Sequence, residues 1–117
     1  MKKLLAIFVL MLTMSDLVTA AEYYRGRTIV GAGIYASGEK SILLFKIDGS
    51  LSEMEECANT RRFSINSDAP HYQELVSIVM TAYASGQNNV DVYADESCDY
   101  WGNAQDVLGV KMGVMPW

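Results

Sequence analysis

The spacing of apolar residues switches from two, to between three and four, and back to two, and these switches divide the chain into strands, one helix and further strands. From Thr28 to Ala36, the residues Thr28, Val30, Ala32, Ile34 and Ala36 alternate with Ile29, Gly31, Gly33 and Tyr35, the pattern of a first strand. Gly31 and Gly33 fall on one face of it, where missing side chains permit the strong curvature of a small barrel. Ser37-Gly38-Glu39-Lys40 predicts a hairpin, with Gly38 supplying a positive φ. Ser41 to Ile47 is the return strand. Its run Ile42-Leu43-Leu44-Phe45 predicts burial on both faces, or one face in the core and the other against a neighbouring subunit. Asp48-Gly49-Ser50 then turns the chain, and Leu51 to Glu56, carrying Glu53, Glu55 and Glu56, reads as a solvated acidic loop. Residues 60–66 read as extended, with Arg61 and Arg62 on opposite faces.

The helical pattern spans 67–86. Ser67 or Asp68 is its expected cap, Pro70 is tolerated in the first turn, and Gly86 ends it. Tyr72, Leu75, Val76, Val79 and Tyr83 form the expected core stripe. The opposite side, including His71, Glu74, Ile78 and Ala82, has only Glu74 as a formal charge. A free surface helix normally carries more, so this face is expected to meet another subunit. Residues 89–94 read as a strand with Val90, Val92 and Ala94 on one side and Asp91 and Tyr93 on the other. A loop over 95–102 and a last strand over 106–114 follow, and the apolar end Met115-Pro116-Trp117 is expected to tuck into the core or a neighbour. Residues 22–27 read only as a polar, aromatic lead-in to the first strand.

Ahead of these elements, Lys2 and Lys3, the apolar run Leu4 to Leu12 and the small residues Val18-Thr19-Ala20 follow the three-part pattern of a secretory signal, cleaved after Ala20 or Ala21. The run is too short for a membrane anchor. The expected organisation is therefore a signal peptide over 1–20 and one domain over 21–117, secreted or periplasmic, of about 97 residues, enough for a modest core. Two cysteines, Cys57 and Cys98, in an exported chain are most simply one disulfide. The full chain has a formal net charge of −5. Such an acidic domain is not built to hold nucleic acid phosphates through bulk charge, and no basic amphipathic helix suggests a membrane surface.

Catalytic chemistry has no visible constellation. His71 is the sole histidine and no nucleophile motif accompanies it. Gly31-Ala32-Gly33 is not a phosphate loop, because no helix start follows. The acidic loop matches no calcium pattern, and one histidine with two distant cysteines builds no metal cluster, so neither metal nor cofactor is expected. Binding remains. Aromatic residues with polar neighbours suit sugars, because a ring stacks on a sugar's C–H face while donors and acceptors take its hydroxyls. Tyr23-Tyr24-Arg25 and Tyr100-Trp101-Gly102-Asn103 are two such groups, with Trp101 read chiefly as a cap on the core. Arg25 or Arg27 could pair with the carboxylate of an acidic sugar.

The stretches 69–75 (Ala69-Pro70-His71-Tyr72-Gln73-Glu74-Leu75), 82–87 (Ala82-Tyr83-Ala84-Ser85-Gly86-Gln87) and 90–93 (Val90-Asp91-Val92-Tyr93) resemble the B subunit of subtilase cytotoxin and its relatives. Cys57-Ala58 before the helix and the pair Tyr23-Tyr24 resemble that family as well, and Cys98-Asp99-Tyr100-Trp101-Gly102 resembles a wider set of small secreted bacterial proteins. The resemblance implies an OB-fold-like barrel, mainly β with one α-helix. It also implies a ring of five subunits, helices lining the pore, a sialylated host glycan or glycoprotein as ligand, and a toxin A subunit as partner. The family's serine after the Tyr-Tyr pair, which contacts sialic acid, is replaced here by Arg25. The glycan-site candidates are thus Tyr23, Tyr24, Arg25, Arg27 and Tyr100. The competing expectation is a stand-alone exported domain of the same fold that binds a protein partner.

Overall fold

In the computed structural model, which describes residues 21–117, the chain runs β1 (Glu22–Arg27), β2 (Ile29–Ser37), β3 (Lys40–Ile47), β4 (Arg62–Asn66), α1 (Tyr72–Ser85), β5 (Val90–Ala94) and β6 (Ala104–Met112). The signal expected over 1–20 lies outside the described residues. All six strands join one sheet in the order β1-β5-β6-β4-β3-β2. The pairs are antiparallel except β4–β6. Laid flat, the two edge strands would stand about 24 Å apart at about 4.8 Å per strand step. Yet Thr28 alone links them, and one residue spans less than about 4 Å. The sheet therefore curls until its edges meet at Thr28. Residues 22–37 are in effect one long strand, bent so that its halves pair at opposite edges. The result is a small OB-fold-like barrel with one helix.

The bend has local causes. The ladder shifts register between Tyr24 and Arg27 and again between Ile29 and Gly31, and Gly26 between them takes a left-handed φ of 63°. The same irregularity decides which of the two alternating sets faces inward at the start of β2. Ile29 turns into the core, while Val30 and Ile34 face out. The lead-in over 22–27 is a strand in its own right, a correction to the sequence reading, because its pairing partner β5 lies more than sixty residues away.

Phe45, Phe63, Leu43, Ile65, Val79, Val90, Val92 and Val107 fill the interior. Phe63 stacks on Phe45 at 5.3 Å and takes the edge of Tyr24 at 5.1 Å. Ile42, Leu43 and Phe45 are all buried, as the apolar run of β3 implies. Met54 and Ala58 also point inward, so the loop expected to be solvated is pinned to the core at two places while Glu53 and Glu56 stay outside.

Helix α1 begins five residues later than the pattern suggests. Both expected caps are engaged elsewhere. Ser67 exchanges hydrogen bonds with Ser41, and Asp68 pairs with Lys40 at 2.8 Å. Asn66 Oδ1 accepts the Asp68 N–H, holding residues 67–71 as turns, and His71 occupies the N-cap in a left-handed conformation with no side-chain cap. Gly86 ends the helix as expected, its left-handed backbone donating to Tyr83 O. The helix packs on β2 and β6 through Leu75, Val79 and Ala82. Ala82, assigned from sequence to the subunit-facing side, is 1% exposed, and Tyr83, assigned to the core, is 42% exposed. Ile78, assigned to the same outer side, is half-buried against the core. The buried stripe runs 75-79-82, rotated from the expected one because the helix rests across two strands.

Cys57 and Cys98 form a disulfide that joins the 48–61 loop to the 95–103 loop, closing a span of 41 residues. Replacing both by serine is expected to cost about 2–4 kcal/mol. Urea unfolding would show this as a lower midpoint.

Candidate functional site

A cleft of about 180 Å³ opens where β1 passes the turn after β3, lined by Tyr23, Tyr24, Arg27, Ser50, Ser52 and Glu53. Three of these were singled out from sequence. The other three belong to segments that read as an ordinary turn and loop, and no local signal marks them.

The bend at Thr28 builds the cleft. The Thr28 N–H donates to Asp48 Oδ1 at 2.7 Å, and the Asp48 N–H donates to Thr28 O at 3.0 Å. Arg27 Nη1 donates to the carbonyls of Asp48 and Ser50 at 2.7 and 2.9 Å, and its guanidinium lies 5.7 Å from the Tyr24 ring centre. The turn is thereby fastened against β1 with Ser50, Ser52 and Glu53 at the rim. Gly49 suits the turn through its backbone and leaves room for the Arg27 guanidinium. Its φ is +82°, and a Cβ there would sit 2.5 Å from Arg27 Nη1.

Tyr24 is the wall, not an exposed stacking ring as its sequence context suggested. It is 3% exposed. Its single hydroxyl proton faces the Glu22 carboxylate at 2.8 Å, with the Gln105 side-chain oxygen at 3.0 Å, while Gln105 Nε2 donates to Glu22 and to Asp95 O. Burial, and then the Glu22 carboxylate, push the Tyr24 phenol well above its ordinary range, so it stays a donor throughout physiological pH.

Tyr23 points to the outer surface. It stacks on Tyr93 at 4.6 Å and meets the edge of Trp117 at 6.2 Å, and the Arg25 guanidinium lies 4.5 Å from its ring centre. With Tyr93 and Arg25 against the ring, its edge and hydroxyl are what remain for a ligand. Trp117 reaches this position because residue 109 is glycine; a Cβ there would lie 2.9 Å from the indole.

Arg25 does not line the cleft. It leans to Asp91, 3.5 Å away, on the outer face of β5. Asp91 is buried beside buried Lys111, with 3.1 Å between them, and accepts the Gly26 N–H at 2.9 Å. Burial alone would raise the Asp91 carboxyl. The Gly26 N–H, Lys111 and Arg25 outweigh it and hold the group below the ordinary carboxylate range.

Tyr100 is also apart from the cleft, half-buried in the disulfide-linked loop. Asp106 organises that loop, accepting Ser97 Oγ and the N–H groups of Asp99 and Tyr100. Burial and then Asp106 push the Tyr100 phenol upward. Trp101 meets Tyr35 edge-on at 5.2 Å. Of the proposed helix-face residues, His71 and Glu74 are exposed, while Ala82 and Ile78 turn to the core as described.

Glu22, Glu55 and Glu96 come from three separate segments, yet their carboxylate oxygens lie within 4.8 Å of one another. The sequence grouped Glu55 with its neighbours Glu53 and Glu56; the fold regroups it. Burial, then Glu22 and Glu96, raise the Glu55 carboxyl.

Two outcomes follow. Asp91→Ala, which leaves the buried Lys111 ammonium without its carboxylate, is expected to cost about 3 kcal/mol or more at neutral pH. Because the folded pKa of Asp91 is depressed, its contribution is complete above the unfolded value of about 3.9 and is lost as pH falls through the lower folded value. Thermal unfolding between pH 2 and 6 would show a shallower acid limb in the variant. Gly49→Ala, through its clash and its strained backbone, is expected to cost about 1–3 kcal/mol and to displace Arg27 from the turn, readable by chemical denaturation and by a shifted Arg27 side-chain signal in NMR.

No family model and no curated protein matches the sequence. Solved structures do match. A mutant homopentamer of Salmonella typhi PltB superposes with a TM-score of 0.57 at 12% identity, over 80% of this chain and 86% of that one. A second PltB mutant homopentamer, with Neu5Ac-alpha-2-3-Gal-beta-1-4-GlcNAc glycans, superposes with a TM-score of 0.55 at 12% identity, over 79% and 84%. At that identity the likeness establishes the fold: this chain has the barrel-and-helix architecture of those PltB subunits.

Proposed function

We propose that this chain is an exported, non-catalytic glycan-binding protein of the B-subunit type, which assembles as a ring and accompanies a toxin A subunit. The observation that carries the reading is the cleft. It joins serine hydroxyls, a guanidinium and a carboxylate beside Tyr23 and Tyr24 at the rim of a B-subunit-like barrel. These are the groups that hold sugars, and the cleft contains no nucleophile paired with a base. The glycan-bearing homopentamer among the structural neighbours supports the same kind of ligand and assembly. The sparse charge of the helix supports a neighbouring copy. Its outward residues include Gln73, Glu74, Ser77, Met80, Thr81 and Tyr83, of which Glu74 alone is charged.

A second reading is a stand-alone exported domain that binds a protein. The exposure of Val30, Ile34 and Tyr35 on β2 favours it, since apolar side chains left in solvent suit a protein surface better than a sugar.

Light scattering on the purified protein separates the two. The ring reading expects a mass several times that of a single chain, with Met80→Glu returning it to monomer. A glycan array on the same sample is expected to show binding. A stable monomer that binds no glycan at high protein concentration would sink the proposal and favour the second reading.

A further inference from the structure

The charges around the cleft bear on which sugar enters. Arg27 is the cation among the lining residues, and its Nη1 is already donated to the carbonyls of Asp48 and Ser50. The other arginine considered, Arg25, is directed to Asp91 on the outer face. Against this stands Glu53, an exposed lining carboxylate with no hydrogen-bond or ion-pair partner among the described residues. Behind the Tyr24 wall lies a second carboxylate, Glu22, hydrogen-bonded to the phenol at 2.8 Å, with Glu55 and Glu96 grouped beside it. The cleft thus carries one uncommitted carboxylate and one guanidinium already engaged by the turn, within a chain of net charge −5.

On the reading that the cleft binds glycans, we infer that it selects an uncharged sugar residue, with Glu53 as the specificity-determining group. An ionised carboxylate accepts only, and its two oxygens match two adjacent hydroxyls of a sugar ring. Ser50 Oγ and Ser52 Oγ, 3.1 Å apart, share one hydrogen bond and retain capacity for a third hydroxyl. A sugar carboxylate placed here would meet Glu53 directly, and like charges at contact in a partly enclosed site repel strongly. At about 180 Å³ the space is smaller than the roughly 300–1,000 Å³ of pockets that enclose drug-sized ligands, which fits a single terminal ring.

The test uses matched glycans with and without a terminal sialic acid, arrayed against the purified protein and its Glu53→Gln variant. The expected result is binding to the desialylated member of each pair, about fivefold to tenfold weaker for Glu53→Gln, since hydrogen bonds to a charged acceptor are stronger by roughly that factor than those to a neutral one. The thermal midpoint should be unchanged, Glu53 being on an exposed loop. The variant should also narrow the difference between the two members of a pair. Preference for the sialylated members would overturn this inference while leaving the glycan-binding reading intact. Binding of uncharged glycans that Glu53→Gln does not alter would overturn the role of Glu53. Absence of binding to every glycan would overturn the reading beneath both.

Discussion

Closure of the sheet at Thr28 is the constraint on which the other features depend. One residue must carry the chain from one edge of a six-stranded sheet to the other, and only a curled sheet allows it. Left alone, such a corner would expose unpaired backbone groups. Asp48 prevents this by taking the Thr28 N–H with its side chain and donating its own N–H to Thr28 O. Arg27 then ties down the carbonyls of the turn that Asp48 begins. The cleft is a by-product of that fastening. It lies between the bent strand and the turn that holds the bend, so the residues that close the barrel are also those that shape the site.

Two polar groups of residues support the closed seam from either side. Inside, Tyr24, Glu22 and Gln105 bond with one another, joining β1 to β6 across an apolar interior. Outside, Asp91 receives the Gly26 N–H and the Lys111 ammonium, joining the bulged part of β1 to β5 and β6. A bulge leaves an unpaired N–H, and here a carboxylate takes it. The disulfide acts elsewhere, linking the loops at the barrel end where Glu22, Glu55 and Glu96 crowd together. A covalent link there opposes the repulsion of three carboxylates brought close by the fold.

Much of the fold was legible in local pattern. The hairpin at Gly38, the apolar run of β3, the helix ended by Gly86 and the shared face of Val90, Val92 and Ala94 were all readable because each depends on periodicity or on a residue's own backbone preference. The disulfide followed from composition and compartment. The errors share one origin. Residues 22–27 lack strong alternation, and they are a strand because β5 lies alongside them. Ser67 and Asp68 are good helix caps in isolation, but β3 offered them competing partners. Tyr83 and Ala82 exchanged places because the helix sits across β2 and β6 at an angle that a helical wheel does not contain.

The sequence by itself determined most of the element types, the disulfide pair and the aromatic pair Tyr23-Tyr24 as a place to look for binding, since period, composition and residue chemistry are local properties. Only the tertiary structure decided what the site contains. It sent Tyr24 inward and Arg25 to Asp91, and it brought Ser50, Ser52 and Glu53 from a turn that reads as ordinary. The physical reason is the bend at Thr28. Side chains on the two sides of a bulged corner point where the closed sheet sends them, and that direction depends on a strand pairing spanning most of the chain.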